Sequence, residues 1–165
     1  MTSILKVSEI QDPTNSNTAL TIDSSGNPTF AKNISQTDLQ WWSGYHDANE
    51  APGVGGTIVN WTKHQGNGIT EASGVWTIPV AGVYIISLSV LGDAAAGGIF
   101  WHVNSTQLWR IGYSASTAYE SLVGTVMYQF SANDTLHFTM ETASTNIYGD
   151  GSGNSVSSMC IYKVG

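Results

Sequence analysis

The residues best equipped for chemistry in this chain are four histidines, His46, His64, His102 and His137, one cysteine, Cys160, and two nearby acids, Asp47 and Glu50. A metal centre needs such ligands at short, fixed spacing on a shared element, and neither His-Glu-x-x-His nor paired cysteines occur. Scattered over different expected elements, the histidines read as surface or rim residues. Cys160, inside Met159-Cys160-Ile161-Tyr162, reads as a small core filler, and as the lone cysteine it permits no intrachain disulfide. Asp47 and Glu50 would serve glycoside cleavage only with a carboxylate placed across a cleft, so they read as loop solubility. Asp150-Gly151-Ser152-Gly153-Asn154 starts like a calcium loop, but Ile161 stands where the bidentate carboxylate belongs. No Gly-x-Ser-x-Gly elbow, phosphate loop or dinucleotide fingerprint is present. The expectation is a protein that is not an enzyme and holds no resident cofactor.

Composition narrows the partners. Lys+Arg number 5 against 12 Asp+Glu, a net charge of -7, so a phosphate backbone finds no cationic face and nucleic acid is excluded. The opening residues Met1 to Ile10 lack the apolar centre of a leader, and no apolar run is long enough to span a bilayer. Synthesis as a soluble cytoplasmic product without membrane insertion is expected. Only 10% of residues are charged while Gly, Ser, Thr and Asn abound, a balance typical of β-rich chains with many tight turns.

The elements follow from periodicity. Residues 1–40 spread Ile4, Leu5, Val7, Ile10, Leu20 and Ile22 thinly among turn formers. Too little apolar surface is present there to offset the entropy of ordering the segment, which therefore reads as an N-terminal arm ordered only on another surface. From residue 41, strands are expected over about 56–63, 75–78, 82–91, 98–104, 107–112, 119–130, 135–141 and 155–164. Leu136, Phe138 and Met140 alternate with polar residues as a half-exposed strand requires. Tyr84, Ile86, Leu88 and Val90 make one apolar face, yet Val83, Ile85 and Leu91 put apolar groups on the other, as does Ile161 opposite Cys160 and Tyr162. A sandwich leaves one face of each sheet in water, so two-sided strands imply cover from another subunit. Val83, Tyr84, Ile85, Ile86, Leu91, Ile161 and Tyr162 are thus assigned to the core or to a subunit interface.

Six tryptophans demand placement. Trp41 and Trp42 are neighbours, so on a strand they point to opposite faces and one is exposed before assembly. Trp41, Trp42 and Tyr45 are candidates for packing between subunits or for a glycan platform, with Tyr113, Tyr119 and Tyr148 as further glycan candidates at loop tips. Trp76, Trp101 and Trp109 read as core or interface, with Arg110 in a rim ion pair.

The run Gly74-Val75-Trp76-Thr77-Ile78-Pro79-Val80-Ala81-Gly82-Val83-Tyr84-Ile85-Ile86 joins a short strand, a Pro/Gly turn and a long apolar strand. With Thr57 to Trp61, Gly66 to Thr70, Phe130 to Leu136 and Ser155 to Tyr162, it resembles the heads of the complement C1q-like and tumour-necrosis-factor-like family over about residues 41–165. Ile86 departs from that pattern where Phe is more frequent, and Ser158 where a small Gly is usual. The resemblance implies an all-β antiparallel jelly-roll sandwich at 41–165, with three copies packed about an axis through one sheet. It also makes calcium, held by Asp or Asn near the trimer apex, the one metal to consider. Separately, Ser3 to Val7 and Ala19 to Gly26 are similar to N-terminal segments of structural proteins of marine bacteriophages.

These readings converge on a homotrimeric virion surface protein that decorates or stabilises the capsid as a head decoration or head fibre. Its arm attaches to capsid or another virion protein through Ile4, Leu5, Val7, Ile10, Leu20 and Ile22. The alternative is a tail-fibre tip or receptor-binding adhesin that recognises host surface glycan.

Overall fold

Short-range polar bonding organises the first strands. In the computed structural model, residues 9–11, 18–30, 39–93, 97–114, 119–141, 146–149 and 156–164 are described, and the chain divides into two compact units, Met1–Thr37 and Asp38–Gly165. In the first unit β1 (Glu9–Gln11), β2 (Thr18–Ile22) and β3 (Pro28–Phe30) form an antiparallel sheet in that order. The Asp23 carboxylate reverses the chain between β2 and β3 by accepting the backbone N–H groups of Ser25 at 2.8 Å and Asn27 at 2.9 Å. These bonds, that from the Asn27 backbone foremost, favour the ionised form and hold the carboxyl below its ordinary range. No strand was expected in this segment. Ile10 and Leu20 are register partners across β1 and β2, Ile22 is half-buried, and Ile4, Leu5 and Val7 lie outside the described residues.

The second unit carries β4 (Trp41–His46), β5 (Trp61–Asn67), β6 (Thr70–Ala72), β7 (Val75–Thr77), β8 (Gly82–Asp93), β9 (Gly97–Val103), β10 (Thr106–Ser114), β11 (Tyr119–Phe130), β12 (Thr135–Met140), β13 (Asn146–Ile147) and β14 (Ser158–Lys163). They form an all-β antiparallel jelly-roll sandwich. Its larger sheet runs β11-β8-β14-β4-β5, with β13 paired to β8, and its smaller sheet runs β10-β9-β12-β7-β6. The strand expected at 56–63 is displaced to Trp61–Asn67. Residues 55–58 instead bond to β12, through Gly55 N–H to the Met140 carbonyl at 2.8 Å and Ile58 N–H to the Phe138 carbonyl at 3.0 Å. Asn60 then breaks the extended run at a left-handed φ of 54°. Asn104 and Asn133 also take positive φ and hold turns, a conformation that asparagine tolerates better than most residues.

The core sits between the inner faces. Trp76 on β7 meets the rings of Trp42 at 5.3 Å, Trp61 at 5.6 Å and Phe138 at 5.9 Å, all edge-on, so one indole ties four strands together. A second group joins Tyr84, Phe130, Tyr128 and Trp101 by similar contacts. The Tyr84 hydroxyl donates to the Val80 carbonyl at 2.7 Å, pinning the Pro/Gly turn to the strand that follows it, and burial pushes the phenol pKa up.

At one corner the two sheets meet where β10 lies against β11. A Cβ on Gly124 would stand 2.0 Å from the Ile111 carbonyl oxygen and 2.5 Å from its side chain, so only glycine allows this approach. Gly124→Ala is expected to destabilise the head by about 2 kcal/mol, the usual cost of overpacking, read as a lower urea midpoint at unchanged slope.

Candidate association face

The outer face of the larger sheet brings most of the sequence-assigned interface residues together. Register places Met127, Ile85, Tyr162 and Trp41 side by side across β11, β8, β14 and β4, giving one apolar row. Val83 and Val164 extend it at one end, where Val164 N–H donates to the Val83 carbonyl. The adjacent row, Thr125, Ser87, Cys160 and Ser43, is small and polar, and the Ser87 and Thr125 hydroxyls bond at 3.1 Å. Beyond it lie Val123, Ser89, Ser158 and Tyr45. The two polar rows leave a hollow of about 620 Å³, also lined by His64. Met127 is 62% exposed and Val123 61%, while Val83, Ile85 and Leu91 are half-buried. Around the β10–β11 corner Trp109 is half exposed, its ring set edge-on against buried Trp101 at 4.9 Å.

Strand parity divides the sequence-assigned residues. Tyr84, Ile86 and Ile161 face inward and are fully buried, whereas Val83, Ile85, Leu91 and Tyr162 face outward. Cys160 is not a core filler. Met159 and Ile161 pair with Leu88 and Ile86 and take the inward positions, which turns Cys160 and Tyr162 to the surface. Partial shielding raises the thiol pKa, so this is no activated nucleophile. Trp42 is likewise removed from the glycan candidates, because it is fully buried. Its indole lies over Gly44, where a Cβ would come within 2.3 Å of the ring. Trp41 and Tyr45 remain on the outer face, each half-buried.

Two polar groups expected at the surface are built into the fold. His46 is fully buried, set edge-on to Trp61 at 5.4 Å, and its Nε2 bonds the Glu50 carboxylate at 2.8 Å. Glu50 Oε1 also accepts the Val59 N–H at 2.8 Å, so this acid closes the loop between β4 and β5 rather than keeping it soluble. No periodic signal marks such a pair. On the opposite sheet Arg110, the chain's only arginine, pairs with Glu141, as a rim ion pair requires, and its guanidinium lies 4.7 Å from the centre of the Tyr113 ring. Tyr119 is 69% exposed and meets Tyr148 at 5.1 Å at one end of the sandwich. Among the described residues no group of three or more His, Cys, Asp or Glu could hold a metal ion, and Asp150 to Asn154 lie outside them.

Solved structures resemble this chain in fold. Murine APRIL matches at a TM-score of 0.62 with 12% identity, covering 76% of this chain and 99% of that one. Eiger TNF from S. frugiperda matches at a TM-score of 0.59 with 13% identity, covering 77% of this chain and 92% of that one. The second unit therefore shares the jelly-roll fold of these proteins. No family model matches the chain, and no curated protein matches it.

Proposed function

We propose that this chain is a non-enzymatic surface protein of a bacteriophage particle, whose heads join as homotrimers and whose N-terminal segment attaches to the capsid, which it decorates or stabilises. The observation that carries the association is the presence of two unlike apolar patches on one head. One is the row Met127, Ile85, Tyr162 and Trp41 on the larger sheet, and the other is the half-exposed indole of Trp109 around the β10–β11 corner. Unlike patches on identical subunits meet head to tail and close a ring when the rotation permits, and the C1q/TNF resemblance supplies the number three. Attachment to a particle rests on the similarity of Ser3 to Val7 and Ala19 to Gly26 to phage structural proteins. Each copy bridging neighbouring shell subunits would then stabilise them by mass action.

Light scattering on the full chain tests the association. The expected mass is three times 17.6 kDa. Ile85→Glu, which sets a charge in the apolar row, is expected to release 17.6 kDa monomers that keep their far-UV spectrum. A wild-type monomer at micromolar concentration rejects the proposal. Deleting residues 1–37 is expected to abolish incorporation into particles without preventing association of the heads.

A second reading, a glycan-binding adhesin, is favoured by the Tyr119 and Tyr148 rings, which meet where one of them stands open to solvent. Glycan-array binding that is lost in Tyr119→Ala would select it.

A further inference from the structure

His102 and His137 are 35 positions apart in sequence but directly opposite in register, because β9 and β12 pair antiparallel. Their imidazoles stack at 4.5 Å between centres and 14° between planes, half-buried on the outer face of the smaller sheet. His102 Nε2 is fixed by the Thr139 hydroxyl at 2.8 Å. We propose that this pair makes the seam between β9 and β12 acid-sensitive: once both rings are protonated they repel across the stack and loosen the smaller sheet.

The surroundings offer the charged form no relief. In the same row Gln107 of β10 flanks His102 and Val75 of β7 flanks His137. Along the strands the face presents Phe100 from β9, Thr135 and Thr139 from β12, and Thr77 from β7, none of them charged. The charged groups on this face are Arg110 of β10 and Glu141 just past β12, and they bind each other. Asp134, before β12, accepts the Asn104 side-chain amide at 3.0 Å and the Ser131 N–H at 2.8 Å. Glu71 of β6 is paired in register with inward-facing Trp76 and accepts the Gly74 N–H at 2.7 Å. Among the described residues, then, each carboxylate near the pair is committed elsewhere.

Burial lowers both imidazole pKa values below the ordinary 6.5, and for His137 the charge of His102 lowers it further. As pH falls, the unfolded chain therefore takes up protons first. Stability is fully present above 6.5 and is lost as pH drops through the folded values. Carboxyl groups ordinarily titrate near pH ~4, below this window, so the histidine effect is separable.

The test is thermal unfolding of the full chain between about pH 7.5 and pH 5, for the wild type, His102→Phe and His137→Gln. The wild-type midpoint is expected to fall by about 5 °C over that window, and either substitution is expected to remove at least half of the fall. A variant whose profile runs parallel to the wild type overturns the proposal. Imidazole NMR titration of the wild type decides independently if a variant does not fold. Two steps, both below 6.5, support the coupling, and two independent titrations at the ordinary value defeat it.

Discussion

Trp76→Ala is expected to cost about 4 kcal/mol of folding free energy, near the upper end for truncation of a buried aromatic. The reason is position as much as size. Trp76 is fully buried and is the common neighbour of Trp42, Trp61 and Phe138, so its removal empties a space bounded by β4, β5 and β12 at once. Those neighbours are rings on separate strands, and strands held in register cannot collapse inward to refill the void. Urea denaturation at fixed protein concentration measures the loss. Trp76→Phe offers an internal control: it keeps an aromatic ring and also removes an indole N–H that is buried without a hydrogen-bond partner. Its cost is expected to be less than half that of the alanine variant. Equal costs for the two would show that the ring contacts contribute little.

Glu50→Ala is expected to cost about 3 kcal/mol, from a position that looks like ordinary loop. The carboxylate satisfies His46 Nε2 and the Val59 N–H together, and removing it strands a fully buried imidazole and a backbone donor. The same residue exchanges two backbone bonds with Ile147, so the damage reaches the short β13 as well. Glu50→Gln keeps an acceptor at that site and is expected to recover more than half of the loss. Denaturant midpoints of the two variants measured side by side decide this. Near-wild-type stability for Glu50→Ala would return the acid to the role of a solubilising loop residue.

The long strands were legible because each carries its own pattern. Tyr119–Phe130 falls where expected, and the β8 strand runs only two residues past its expected end at Leu91. Leu136, Phe138 and Met140 bury the face that their alternation implies. Short pieces such as Thr70–Ala72 and Asn146–Ile147 have too few residues to display a period, and they exist because a neighbouring strand offers hydrogen bonds. Which member of Trp41-Trp42 is buried depends on register, a property of the sheet rather than of the segment. One local sign was available: Gly44 sits two residues along on the same face and clears room for the Trp42 indole. For Cys160 the same parity question was answered the other way round from expectation. The His46–Glu50 bond needed a loop conformation, and the His102–His137 stack a pairing across two intervening strands, and neither leaves a spacing signature.

The corner at Gly124 has a bearing on how such heads behave when many stand close together. Gly124 has the inward parity of its strand, so the missing Cβ lets β10 of the same chain fold closely over the inner face of β11, the longest edge strand of the larger sheet. An edge strand backed this closely is held in the twist of its own sandwich and resists flattening onto a strand from a neighbour, which disfavours the route to cross-β fibrils at that flank.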